Sequence, residues 1–267
     1  MRETPDRNMA EMADTETPVL ELRGISKRFG GITALDGVSF QLKRDEIVAL
    51  VGDNGAGKST LIKAISGSVP ADGGEFLFEG NKVDINTPVD ARALGIETVY
   101  QDLAVCDNLN TVQNLFLGQE LTSSLMGGAR LRKAAMEKRA REVLKDFQVT
   151  TIRSLATPAG RLSGGQRQAI AICRCMLRNP KVVLLDEPTA ALGVAQRQQV
   201  IELLRRLRSE HRSIIVISHD LNDLVLEVAD RIVVLRLGQK VAEFNRADAD
   251  AGKVIAAITG IARHAPH

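Results

Sequence analysis

The stretch Gly52-Asp53-Asn54-Gly55-Ala56-Gly57-Lys58-Ser59-Thr60 decides the fold. It fits G-x-x-x-x-G-K-[ST], a phosphate-binding loop wherever a strand precedes it and a helix follows. Both flanks meet that condition. Residues 46–51 read as a buried strand, and Leu61, Ile62 and Ile65 fall on one face of a helix. The glycines let the backbone bend so that successive N–H groups point inward at a phosphate chain. The helix adds the partial positive charge of its N-terminus. Lys58 would bridge the β- and γ-phosphates, and the Ser59 hydroxyl would bind Mg²⁺.

A chain of 267 residues holds one large domain or two small ones, with a full core. Lys+Arg 35 against Asp+Glu 33 leaves +2, a balance that creates no strong field toward nucleic acid or an anionic membrane. Apolar runs such as 182–185 and 214–217 are strand-sized, far short of the ~18 residues of a membrane span. Residues 1–17 are polar and acidic and read as a mobile tail with no export signal; residues 262–267 read as a second tail. Three cysteines in such a chain fit a reducing cytosol.

Outward from the loop, strands are expected at 19–22, 38–42, 76–78 and 95–100. Phe29 lies between the first two, beside Gly30-Gly31. An aromatic there either packs on a sheet or offers a face on which a base stacks, and local context favours neither. Gln101 ends its strand as a cap or surface glutamine. From 102 to 161 helical patterns cluster. One spans 110–117, with Val112, Leu115 and Phe116; another spans 131–147, with Ala135, Val143, Leu144 and Phe147 inward. The glycine-containing stretch 123–130 between them reads as a loop. Strands alternate with helices on either side, so this is a helical insertion in an α/β chain.

Leu162-Ser163-Gly164-Gly165-Gln166 opens a further helix, with Ser163 as N-cap and Ala169, Ile170, Cys173, Met176 and Leu177 as an apolar stripe. Cys173 and Cys175 stand about 200° apart around a helix, which argues against a shared metal. The run 181–185 suits a strand of a parallel sheet covered on both faces. It ends in Asp186-Glu187, and ligands sit at strand carboxyl ends in open α/β sheets. Two adjacent acids there suit Mg²⁺ and a water-activating base. A lone histidine is ordinarily structural, but His219 is the third polar group brought to a strand end in this region. A helix over 220–229, a hairpin across 237–239 and a helix over 247–261 complete the chain.

The phosphate loop, Leu162 to Gln166, Asp186-Glu187-Pro188-Thr189 and His219, in this order, resemble the nucleotide-binding subunit of ABC transporters, from about residue 19 to 261. The L-S-G-G-Q stretch is far more specific than the phosphate loop, which kinases and GTPases share. The resemblance implies a P-loop NTPase of the α/β class. Its RecA-like core sheet with flanking helices would draw on 18–101 and 162–261, joined by an antiparallel β subdomain and an α-helical subdomain inserted at 102–161. It implies roles as well. Phe29 would stack on the adenine of ATP, and Gln101 would touch Mg²⁺ or the attacking water. Asp186 would hold Mg²⁺ through water, Glu187 would be the general base, and His219 would keep the γ-phosphate and base in line. Ser163, Gly164, Gly165 and Gln166 would close on ATP bound to a second subunit, burying two ATP molecules between head-to-tail subunits.

Within the family, the phosphate loop, Asn114-Leu115-Phe116-Leu117-Gly118 and Ala190-Ala191-Leu192-Gly193 look most like importers of monosaccharides. The single ATPase module looks like the fructose-type members. The implied partners are a second ATPase subunit, as a homodimer or a heterodimer, transmembrane permease subunits and, indirectly, an extracytoplasmic sugar-binding protein. No nucleic acid is implied, and the implied place is the cytoplasmic face of the membrane. Residues 102–118 are expected to form the socket for a permease helix, with Leu115 and Phe116 in it. Gly193 departs from the pattern, because members usually carry an acid there, where the subunits communicate. Other readings stay open: an importer of another solute, a soluble ABC ATPase acting on ribosomes or nucleic acid, and a non-hydrolysing regulatory module.

Overall fold

The computed structural model describes residues 17–125, 128–190 and 192–260. Apart from Thr17, the two expected tails lie outside the described residues. The strands are β1 (Leu20–Phe29), β2 (Ile32–Leu42), β3 (Ile47–Val51), β4 (Gly73–Phe78), β5 (Asn81–Val83) and β6 (Ile96–Val99), then β7 (Thr122–Leu125), β8 (Gly128–Leu131), β9 (Val182–Asp186), β10 (Ser213–Ile217), β11 (Arg231–Arg236) and β12 (Gln239–Asn245). The helices are α1 (Lys58–Ile65), α2 (Pro88–Ala93), α3 (Thr111–Phe116), α4 (Lys133–Asp146), α5 (Gly164–Met176) and α6 (Val194–Ser209). A π turn (Leu221–Val225) leads into α7 (Leu226–Val228), and α8 (Ala251–Thr259) follows.

The core sheet has the order β12-β11-β3-β10-β9-β6. Every pairing in it is parallel except β11 with β12. The residues of β3, β9 and β10 are all buried, because apolar layers cover both faces. Alternation assigns the faces. Ile47, Ala49, Val51, Val183, Leu185, Ile214 and Val216 pack with α5, α6 and the insertion. Val48, Leu50, Val182, Leu184, Ile215 and Ile217 pack with Leu61, Ile62 and Ile65 of α1 and with the second sheet, of order β2-β1-β4-β5. This is the expected α/β core with its antiparallel sheet and inserted helices.

The structure departs from the sequence reading in several places. β1 and β2 are longer than expected and meet at Gly30-Gly31, so Phe29 is the last residue of β1, opposite Ile32, and not a loop residue. Register shifts between Leu22 and Arg28 break the alternation that would have shown the strand. The stretch 123–130, expected as a loop, holds residues of strands β7 and β8, which pair antiparallel and whose sequences have no apolar alternation to reveal them. In α4 the buried residues are Met136, Ala140, Val143 and Leu144, followed by Phe147; Ala135 is only half-buried, at the margin of that stripe. Helix α2 was not foreseen, although Thr87 and Asp90 form a full capping box around Pro88. The last helix is shorter than 247–261, capped by Asp250 and closed at Gly260.

The socket expectation needs correcting. Leu115 and Phe116 are 0% and 3% exposed and belong to the core beneath the insertion. Their helical spacing marks a face turned inward, so their side chains offer nothing to an outside helix. Leu115→Asp would bury an unpaired charge and is expected to cost on the order of 4 kcal/mol or more, read as a collapse of the thermal melting temperature. Beside them, the fully buried amide of Asn114 accepts from Cys106 N (2.8 Å) and donates to the carbonyls of Cys106 (3.0 Å), Leu109 (3.0 Å) and Asn110 (3.1 Å). One side chain thereby satisfies several backbone groups of the segment that leads into α3.

Cys173 and Cys175 are both buried on α5, and Cys106 is half-exposed. Burial pushes the Cys175 thiol up to about 12 and the Cys173 thiol higher still. Alkylation of the native chain near pH 8 is expected to label Cys106 alone, with the other two reacting only in denaturant; mass analysis of the peptides checks this.

Candidate active site

The phosphate loop is clamped by its neighbours. Gly52 has φ +150, and a Cβ on it would stand 2.2 Å from the carbonyl oxygen of Leu235, at the end of β11. Gly57 has φ +102, and a Cβ there would meet the carbonyl oxygen of Ala34 at 2.6 Å. No side chain but hydrogen fits either place. Within the loop, Lys58 is 8% exposed and its Nζ donates to the carbonyls of Gly52 (2.7 Å) and Asp53 (2.9 Å). The ammonium is thus held at the centre of the turn. Asp53, Asn54, Gly55 and Ser59 face solvent, Ala56 is buried and Thr60 half-buried. Helix α1 starts at Lys58 with no side-chain cap and no acid in its first turn. No acid of the helix itself therefore neutralises its first N–H groups, the arrangement that receives an anion.

Sheet topology brings the acids to this loop. β10 lies between β3 and β9, and all three run parallel, so their carboxyl ends share one edge. By alternation Asp186 follows Val182 and Leu184 toward α1. There the Ser59 hydroxyl donates to Asp186 Oδ1 at 3.5 Å. Asp186 is 7% exposed. Its burial holds the carboxyl above the usual carboxylate range, opposed by the Ser59 hydrogen bond and assisted by the neighbouring Glu187 charge.

Glu187 has left the strand. Its φ of +52 lies in the left-handed region, which costs a non-glycine residue about 1–3 kcal/mol. Two backbone bonds hold it there: its N–H donates to Ile217 O at the end of β10 (3.0 Å), and Ala190 N donates to its carbonyl (3.1 Å). Its Oε2 lies 2.9 Å from His219 Nδ1 but without hydrogen-bond geometry, so this buried oxygen has no donor. The His219 side chain is 73% exposed. An unsatisfied buried carboxylate oxygen is costly, and its natural partner is a water or hydroxyl brought by a ligand.

The other predicted residues lie elsewhere in the fold. Ser163 caps α5: its Oγ accepts from Gln166 N (3.3 Å), and Gln166 Oε1 accepts from Ser163 N (2.9 Å). Gln166 Nε2 also donates to Thr151 O at 2.7 Å. A Cβ on Gly164 would lie 3.0 Å from Leu192 Cδ2, and one on Gly165 would lie 3.0 Å from Gln196 Cβ. These glycines let the start of α5 press against the segment that follows Glu187. Hence the signature stretch is bound to residues 151, 192 and 196, and none of those belongs to the phosphate loop. Gly193 is the N-cap of α6, with no side-chain cap and nothing within 4 Å of where a Cβ would stand. Gln101 is exposed just past β6.

Phe29 is 48% exposed at the tip of the β1–β2 hairpin, with Lys27 Nζ over its ring at 5.6 Å from the centre. Asp72 fixes this strand end, accepting from Lys27 Nζ (2.7 Å) and from Arg28 N (2.8 Å). Sequence reasoning missed Asp72 and Gln196 and gave Leu192 no role beyond its motif, because each acts across a tertiary contact that no local spacing encodes.

A family model described as ABC transporter matches residues 35–190. The fructose import ATP-binding protein of Rhizobium meliloti is 44% identical over 248 residues, covering 92% of this chain and 95% of that protein. The xylose/arabinose import ATP-binding protein of Sulfolobus acidocaldarius is 42% identical over 244 residues, covering 91% and 95%. Among solved structures, an ATP-binding cassette of an ABC transporter superposes with a TM-score of 0.79 at 27% identity, covering 90% of this chain and 98% of that one. A dimeric ATP-binding cassette in a post-hydrolysis state, bound to ADP and phosphate, gives 0.69 at 27% identity, covering 85% and 98%. A strained acid beside a clamped phosphate loop, a family match over more than half the chain and relatives spanning nearly all of it have one meaning: this chain is an ATP-binding cassette of the ABC transporter family.

Proposed function

We propose that the chain is the ATP-hydrolysing subunit of an importer for a monosaccharide, working as a dimer of cassettes against transmembrane permease subunits. The observation that carries the hydrolytic part is the buried, donorless Oε2 of Glu187, poised next to Asp186 at the same sheet edge as the phosphate loop. The import part draws on relatives named for fructose and for xylose/arabinose import that match this chain nearly end to end.

In this reading residues 52–60 wrap the phosphates, with Lys58 turning its ammonium from the carbonyls of Gly52 and Asp53 toward the β- and γ-phosphates. Phe29 stacks on the adenine. Glu187 accepts a proton from the attacking water, and the exposed His219 ring holds the γ-phosphate in line with it. Ser163, Gly164, Gly165 and Gln166 of one copy complete the site on the other, through the capped start of α5. Contact of the signature with Leu192 links the acid loop of one site to the signature that serves its twin. Gly193 leaves this link without the acid most members carry.

The donor set fits Mg²⁺. Ser59 and Asp186 present oxygen only, they already approach each other, and one carboxylate with phosphate oxygens and water is how this cation is usually held. Gln101 would add a further oxygen. When bound, Mg²⁺ neutralises charge on the phosphate oxygens.

No described helix is long and apolar enough to cross a membrane, so attachment to the cytoplasmic face would come through the permease. An extracytoplasmic sugar-binding protein would deliver the solute to that permease. Affinity capture of the tagged chain from gently solubilised membranes tests the assignment. Co-recovery of a multi-span permease is the expected result; recovery of ribosomes or nucleic acid without one would contradict it.

A further inference from the structure

We propose that Tyr100 is a positioning residue that ties Gln101 to the helix of the phosphate loop. The inference rests on the reading of Gln101 as a group that reaches the water or Mg²⁺, and it adds how that group is held. Among the described residues β6 is an edge strand, paired with β9 alone, from Ile96↔Val182 to Val99↔Leu185. Continued in the same register, Tyr100 and Gln101 come level with Asp186 and Glu187. The ladder stops one step short of this level, so strand pairing does not fix Gln101. The Gln101 side chain is exposed and makes no hydrogen bond of its own among the described residues. Its place is therefore set through its neighbour.

That neighbour is anchored. The half-buried Tyr100 ring packs against the cluster that contains Leu61, Ile62 and Ile65 of α1. Its hydroxyl lies 2.5 Å from Ser68 Oγ and 2.9 Å from Ser66 Oγ. Ser66 is the residue that ends α1, and its own Oγ donates to Lys63 O at 3.1 Å. The three hydroxyls form one cluster: Tyr100 donates to Ser66, the Tyr100 and Ser68 hydroxyls share one hydrogen bond, and Ser66 Oγ has two acceptors at 3.1 Å, the Lys63 carbonyl in the last turn of α1 and Ser68 Oγ. α1 has only eight residues, and its other end is Lys58 in the phosphate loop. The Tyr100 hydroxyl thus couples the segment bearing Gln101 to the helix bearing Lys58 and Ser59, so that the two move as one body when phosphate enters.

The test is a double-mutant cycle in ATP hydrolysis by the full chain, with Tyr100→Phe, Gln101→Ala and the pair together. Phenylalanine keeps the ring in its packing and removes only the hydroxyl. Tyr100→Phe is expected to lower kcat about fivefold, the size of one lost hydrogen bond, with KM for MgATP little changed. The double variant is expected to be no slower than Gln101→Ala alone, because both changes disable one group. A purely structural tyrosine would instead add its effect to that of Gln101→Ala.

Tyr100 is the sole tyrosine in a chain without tryptophan, so its emission reports on this hydroxyl directly. Ser66→Ala with Ser68→Ala should change that emission and lower kcat as Tyr100→Phe does. A normal kcat in Tyr100→Phe, a defect confined to KM, full additivity, or unaltered emission would overturn the positioning role while leaving Gln101 in place. A normal rate in Gln101→Ala would instead overturn the reading of Gln101 on which the proposal stands.

Discussion

Glu187→Gln is expected to bind MgATP and to hydrolyse it about 10²- to 10⁴-fold more slowly, the usual worth of a general base. The change keeps the length and shape of the side chain and removes only its charge and basicity. It leaves the backbone strain at φ +52 as it was, because glutamine meets the same left-handed penalty. The two backbone bonds that hold this residue, to Ile217 and Ala190, are likewise untouched. Folding should therefore be preserved, and nucleotide affinity should hold or rise, since one negative charge beside the γ-phosphate is gone. Phosphate release under single-turnover conditions measures the loss. A wild-type rate would remove Glu187 from the role of base and leave its buried, donorless oxygen without an explanation.

Lys58→Ala is expected to weaken MgATP binding by roughly 10- to 100-fold, the worth of charge-assisted hydrogen bonds to phosphate. The structure adds a second cost. The ammonium now satisfies the carbonyls of Gly52 and Asp53, and alanine leaves both without that donor. The loop should lose shape as well as charge, so that raising the ATP concentration does not restore full activity. Calorimetric titration with MgATP measures the affinity directly. Unchanged affinity would show that the loop binds through its backbone alone.

The central sheet was legible because its strands are buried on both faces and read as unbroken apolar runs. The phosphate loop was legible because its residue types are set by the ligand, with the flanking strand and helix as confirmation. Even the meeting of Ser59 with Asp186 follows from strand parity once the face of α1 is known. β1 and β2 were only half legible, since the register shifts before Arg28 break their alternation. Strands β7 and β8 carry no apolar alternation in their sequence. Leu115 and Phe116 show a different failure: spacing reveals that a helix has an apolar face, but not whether core or partner covers it. The geometry at Glu187 was hidden for another reason. Its orphaned oxygen depends on a left-handed backbone angle and on a histidine brought in by another strand, and neither is a property of local sequence. The anchoring of Tyr100 by Ser66 and Ser68 is likewise a matter of tertiary packing.

Each ATP is proposed to be held by the phosphate loop of one copy and the signature of another. Within one chain, Ser163 to Gln166 bind residue 151 and press on residues 192 and 196, not on the phosphate loop. Sedimentation velocity of the Glu187→Gln chain, with and without saturating MgATP, tests this most directly. A monomer that becomes a dimer carrying one ATP per chain is the expected result, with a return to monomer when Ser163→Arg is added to the same chain. A chain that stays monomeric at saturating MgATP would contradict it.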